Sequence, residues 1–260
     1  MPMETIGGDV KMPDGTRVPL SKAVRAGEFL LLSGQLGFGP DGAIIDGGIE
    51  AQTRQCIENA KALLEEAGWT DSNGDGVREK DGVELSMLFQ TSTNAVRQDF
   101  QALIKQWWGQ IGVETELRNI SASVFFGGDP GSPDTFQKFY ADVEMYANLF
   151  DGTDPQNYLA SRTCNKAPRP ETQWQGENIN RYCDEEYDAL VRELGRTAEL
   201  EKRAEIAIKL NNMITRDANV IIPLVHRGRV SAKSNTLGGV ILNVWDTEMW
   251  NAADWYRIEE

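Results

Sequence analysis

With 260 residues, 40% of them apolar, the chain is long enough for one large or two ordinary domains around a sizeable core. Its 40 Asp and Glu against 26 Lys and Arg give a formal charge of -14, a field that repels nucleic acid and anionic lipid, so no nucleic-acid partner is expected. The longest apolar runs, such as FLLLSG and NVIIPLV, fall far short of the roughly 20 residues of a membrane helix, and MPMETIGGDVKMPDG lacks the basic start and apolar core of a secretion signal, so the chain as written reads as cytoplasmic.

Residues 1–15 carry little apolar content and read as a loose arm. EFLLLSGQL, from Glu28 to Leu36, is a strand-like run bounded by Gly27 and Gly37. GPDGAIID then turns at Asp41-Gly42 into a short strand, a hairpin pattern. From about Glu50 to Ala67, the residues Cys56, Ile57, Ala60, Leu63, Leu64 and Ala67 form the stripe of an amphipathic helix, with Gly68 as its C-terminal cap. GVELSMLFQ has strand character, VRQDFQALIKQWWGQIG helical periodicity and VETELRNIS strand character again, which together make a βαβ unit. FFGGDPGSPDTF reads as a surface loop and YADVEMYANLF as a further strand. Helical spacing returns in DEEYDALVRELGR and TAELEKRAEIAIKLNNMITRD, and NVIIPLVHRGRVSAKS is an extended run broken at Pro223.

Few residues group into recognisable chemistry. The stretch Asp71 to Gly82, DSNGDGVREKDG, starts like a calcium loop, with oxygen donors at positions one, three and five and a glycine at six. Position twelve is Gly82 where a bidentate Glu belongs, so the residues read either as a tight turn, the preferred reading with no metal, or as a weak calcium site. His226 is the one histidine, within an apolar run, and Ser33 lacks a G-x-S-x-G frame, so no catalytic triad is drawn from them. Trp107 or Trp108 must face inward on any helix, whereas Trp174, in a polar loop, is the better candidate for a ligand contact. Cys164 and Cys183 flank that loop; either they remain thiols or they close a disulfide worth on the order of 3 kcal/mol.

Up to Gly68, VPLSKAVRAGEFLLLSGQLGFGPDGAIIDGGIEAQTRQCIENAKALLEEAG resembles the RidA/YjgF family, over about residues 17–68. That resemblance implies small trimeric proteins, many of which hydrolyse enamines and imines to ketoacids and ammonia in clefts between subunits. About half of that fold is represented, without the stretch that supplies a carboxylate-binding arginine and an acidic residue for water. Leu20 stands where the family's Pro-Tyr-Ser segment has tyrosine, and Ser33 of SGQ is the remaining pocket residue. A deaminase without the arginine loses its bidentate, charge-assisted contact to substrate.

From AKALLEEAGWTDSNGDGVREKDG to about residue 235 the sequence is similar to the C-terminal part of family 5 extracellular solute-binding proteins, which deliver peptides and related solutes to ABC importers. The similarity rests on QALIKQWWGQIGVETELR, FDGTDPQNYL, NINRYCDEEYDAL and EKRAEIAIKLNNMITRDANVIIPL in that order. It implies that Asp151, in DGTDP, pairs with a ligand ammonium, because an uncompensated charge in a closed cleft is expensive. It also implies that Asn148 and Phe150 add polar and apolar contacts, and that Cys164 and Cys183 pair as in an exported protein.

The resulting expectation is an α/β chain: an N-terminal β-hairpin plus helix, half of a RidA-like fold, joined to a mixed-sheet lobe like that of periplasmic binding proteins. The segments would be residues 1–68, 69–218 and a return segment 219–260. Function follows as peptide or small-solute binding, with an ABC importer permease as partner, a periplasmic or envelope location by family, and no cofactor. The alternatives are a RidA-like deaminase, a homotrimer if the RidA-like half directs assembly, or a junction of two families with no evolved function of its own.

Overall fold

The computed structural model describes residues 3–11, 16–26, 29–32, 36–148, 153–225, 231–243 and 247–258. The chain divides into two compact units, one of residues 1–127 with 140–146, the other of residues 128–139 with 147–260. Among the described residues no helix is long and apolar enough to cross a membrane.

The first unit begins with an antiparallel sheet of β1 (Met3–Lys11), β2 (Arg17–Ala26) and β3 (Phe29–Leu32), in that order. The expected loose arm is therefore largely a strand. Ile6, paired with Ala23, gives it an apolar anchor, and both residues pack with Leu63 in a small core. The register slips between Ile6 and Asp9, where Gly7 and Gly8 both have positive φ. A Cβ on Gly7 would lie 2.5 Å from the Leu63 side chain, so this bulge is what lets the following helix approach the sheet.

That helix, α1 (Gly48–Glu66), buries Leu63 and Leu64, as its stripe predicts. Ahead of it, residues 36–45 form the expected turn, closed by an isolated bridge between Phe38 and Ile44. Asn59 of α1 holds the turn by donating to the carbonyls of Leu36 and Phe38. Gly68, at φ 88°, ends the helix in a left-handed cap, with the Trp69 N–H returning to the Leu64 carbonyl at 2.9 Å.

A two-residue hairpin, β4 (Glu79–Lys80) and β5 (Val83–Glu84), turns at Asp81-Gly82, both at positive φ. Next comes the expected βαβ unit. β6 (Ser86–Ser92) is the central strand of a parallel sheet, with β7 (Glu114–Ile120) on one side and β8 (Val143–Met145) on the other. The connecting α2 (Ala95–Gln110) is capped by the Asn94 side chain. Gln101, fully buried, donates to the Phe89 carbonyl at 2.9 Å, and Trp108 lies against the Phe89 ring, while Trp107 is half exposed.

The second unit is helical. α4 (Gln156–Ala160), α5 (Glu185–Leu194) and α6 (Leu200–Asn212) share a core of Leu159, Tyr187, Leu194, Ile206, Leu210 and Ile214, the last lying in the turn that extends α6. Asp184 caps α5 by accepting from the Tyr187 N–H. The four-residue α3 (Ala122–Phe125) belongs to the first unit.

Candidate functional site

In the second unit, the stretch between Cys164 and Cys183 is held as a defined platform rather than a free loop. The two cysteines are joined as a disulfide with Cα atoms 4.5 Å apart. At the base, fully buried Asn178 donates from its side chain to the carbonyls of Thr163 and Tyr182, at 3.0 and 2.7 Å, while its main-chain N–H reaches Lys166. Arg162, also buried, donates to the Glu177 carbonyl and stacks on Tyr158. Gly176 is required by close approach, since a Cβ there would sit 2.4 Å from the Lys166 carbonyl oxygen.

Half-buried Trp174 sits on the outer bend of this platform. Residues 128–139 of the same unit come back against it. The Lys138 Nζ lies 5.3 Å from the indole centroid and the Arg181 Cζ 5.9 Å from it. Arg181 donates to the Lys138 carbonyl at 2.9 Å and to the Ile179 carbonyl at 3.0 Å, and Gln137 reaches the Gly176 carbonyl at 3.4 Å. Phe139, Gln173, Trp174 and Arg181 all adopt left-handed φ, between 46° and 61°. Such conformations cost roughly 1–3 kcal/mol each for non-glycine residues and gather at functional sites.

The electrostatics of this group are one-sided. Lys138 and Arg162 are 7% and 3% exposed, and among the described residues neither they nor Arg181 has a carboxylate within ion-pair distance. Elsewhere in the unit cations do find acids, as in Arg203 with Asp154, Lys209 with Glu186 and Lys202 with Glu193. Arg203 also donates to the Leu194 and Thr197 carbonyls, and Asp154 accepts the Gln156 N–H, so Asp154 is a turn and anchoring residue.

Of the residues singled out from sequence, Trp174 lies at the centre of this cluster and Asn148 is exposed. Phe150, Asp151, Ser33 and His226 lie outside the described residues. Lys138, Arg162 and Arg181 were not anticipated, and KFY, SRTC and NRYC contain no spacing that would have marked them.

The first unit supplies a different kind of concavity. A cavity of about 540 Å³ is lined by Glu65, Asp71, Arg78 and Gln110 among others. Arg78 commits its guanidinium to the Ile111 and Trp69 carbonyls and to Glu65, a structural assignment. The neighbouring Asp71 loop is satisfied by its own backbone: Asp71 accepts from Gly74 and Gly76, Asn73 from Asp75, and Asp75 from Val77. Among the described residues no group of three or more His, Cys, Asp or Glu is set to hold a metal. In the second unit, a cavity of about 370 Å³ is lined by Tyr182, Asp184, Glu186, Lys209, Met213 and Asp217. Burial, then the nearby Asp184, Asp217, Glu186 and Asp188, raise the Tyr182 phenol above its ordinary value.

Residues 38–167 match the family described as bacterial extracellular solute-binding proteins, family 5 Middle. The oligopeptide-binding protein AppA of Bacillus subtilis is 37% identical over 67 residues, which is 25% of this chain and 12% of that protein. A RutC family protein of Pyrococcus horikoshii is 49% identical over 53 residues, 20% of this chain and 42% of that protein. The solved structure of Bacillus subtilis AppA in complex with a nonapeptide aligns with a TM-score of 0.55 at 21% identity, covering 78% of this chain and 37% of AppA. That likeness shows a shared fold, and in each comparison the chain spans less than half of the relative.

Proposed function

Because the chain belongs to the family 5 bacterial extracellular solute-binding proteins, we propose that it binds a peptide or similar small solute and presents it to an ABC importer permease on the outer side of the cytoplasmic membrane. The observation that carries this reading is the family match over residues 38–167; the oligopeptide-binding relative supports it, and the Cys164–Cys183 disulfide suits an oxidising compartment. In this reading Asp151 is the counter-charge for the ligand's ammonium, Phe150 and Trp174 provide apolar surface, and Asn148 orients a polar group.

The RutC relative favours one specific second reading, a RidA-like imine deaminase. We infer instead a scaffold role for this stretch, since its buried residues Ala23 and Leu63, packed with Ile6 of β1, are spent on fixing α1.

Native mass spectrometry of the full chain with a pool of dipeptides and tripeptides tests the binding reading. Retained peptide is the expected result, accompanied by a rise in unfolding free energy of about 2.7 kcal/mol at a hundredfold excess over Kd. D151N, or N-acetylation of the peptide, should weaken binding by at least about tenfold. A chain that retains no peptide, or that releases ammonia from an iminoacid generated in situ, rules the reading out.

A further inference from the structure

We propose that Lys138 and Arg181, stacked on Trp174, form a subsite for a carboxylate of the bound solute. The proposal deepens the peptide-binding reading and rests on it for the identity of the solute.

The argument starts from an imbalance. The chain carries 40 acidic side chains against 26 basic ones, so a cation without an acid nearby is unusual, and a buried one is costly. Lys138 is 7% exposed, and among the described residues the protein acceptor its ammonium reaches is the Pro130 carbonyl, at 2.6 Å. Its three donors leave capacity for further acceptors. Arg181 brings a second positive charge to the same indole. Cation–π attraction offsets part of the cost. It leaves two like charges sharing one ring, an arrangement that an anion bridging them relieves.

The cluster is also held in place by the protein's own contacts. Arg181 is tied to the main chain of Lys138, the main-chain N–H of Trp174 donates to the Arg169 carbonyl at 2.8 Å, and Asn178 and the disulfide fix the loop that carries both. Phe139, Trp174 and Arg181 hold strained left-handed backbones, the kind of cost that persists where the surroundings enforce it. A preorganised ammonium and guanidinium suit a carboxylate through short, charge-assisted hydrogen bonds. The carboxylate is either an acidic side chain of a peptide or its C-terminus.

Isothermal titration of the full chain with three peptides separates the possibilities: Ala-Gln-Ala amide, Ala-Glu-Ala amide, and Ala-Gln-Ala with a free C-terminus. At least one carboxylate-bearing peptide should bind about tenfold or more tightly than the neutral amide. Preference for the Glu peptide assigns the side-chain source, and preference for the free acid assigns the C-terminus. K138M and R181Q, checked for fold by circular dichroism, should each abolish that preference. Equal affinity for all three peptides in the unaltered chain overturns the subsite while peptide binding stands, and a preference that survives in both folded variants overturns the assignment to these residues. If no peptide binds, titration with glutarate decides: stabilisation that is lost in K138M keeps the anion site and discards the peptide reading, and no stabilisation discards both.

Discussion

Arg25 and Lys80 donate to one and the same main-chain oxygen, that of Ala67, at 2.6 and 2.9 Å. Ala67 closes α1, where the helix presents its unpaired carbonyls and the negative end of its dipole. Arg25 comes from β2, within the stretch that resembles RidA proteins, and Lys80 from the hairpin that follows the helix. Two stretches with different family resemblances thus meet on a single acceptor, and the helix between them is where their interests coincide.

Because either cation can satisfy the Ala67 carbonyl in the absence of the other, R25A and K80A should each cost little, about 0.3–1 kcal/mol. The double variant should cost more than the sum of the two, with a coupling of about 0.5 kcal/mol or more. Urea unfolding of the four proteins measures this. Strict additivity would mean the shared carbonyl contributes nothing beyond two independent surface contacts.

Leu63 has no such redundancy. It is 4% exposed and shares its cluster with Ile6 and Ala23, so L63A should destabilise by about 2–5 kcal/mol. The loss should be local at first: amide hydrogen exchange in Met3–Ile6 and Ala23–Ala26 should accelerate well before that in β6 and β7. Uniform acceleration throughout the first unit would contradict the view that Leu63 clamps the N-terminal sheet.

Much of this architecture was legible in the residues. The stripe ending in Leu63 and Leu64, the cap at Gly68 and the strand–helix–strand run from residue 86 to 120 are local patterns, and they fold as the periodicity dictates. β1 was not legible, because its buried anchor is Ile6 and its register depends on a Gly7-Gly8 bulge shaped by Leu63, far away in sequence. Trp174 stood out as an aromatic in a polar loop. Lys138 and Arg181 did not, since their convergence depends on left-handed φ at Phe139, Trp174 and Arg181, which no propensity scale foresees.

The disulfide closes a sequence separation of 19 residues, for which chain entropy alone gives about 3 kcal/mol. C164S/C183S should therefore lower stability by about that amount. The Trp174 platform should nevertheless keep its shape in the folded protein, because Asn178 and Arg162 bind its backbone independently. Trp174 order, read by side-chain indole NMR in oxidised and reduced protein, checks the second half of the claim. Loss of the Trp174 signal in the reduced, still folded chain would show that the disulfide alone holds the platform.

Tyr187 gives the second unit a dependence on alkaline pH. Its ring is fully buried and its hydroxyl donates to the Leu159 carbonyl at 2.8 Å. Burial is the main reason its ionisation is pushed far above the ordinary phenol range; Arg162 opposes the shift, and Tyr182, Tyr158 and Asp188 add to it. The folded state then keeps a proton that the unfolded chain releases near pH 10. The corresponding stability is fully present below about pH 10 and declines as pH rises above it. Y187F should cost about 0.5–1.5 kcal/mol at neutral pH by removing one of the two hydrogen bonds to the Leu159 carbonyl, which keeps the Arg162 N–H as donor, and its stability should fall less steeply than that of the unaltered chain between pH 10 and 12. Denaturant unfolding across that range decides the matter, since identical slopes would place the alkaline transition on groups other than Tyr187.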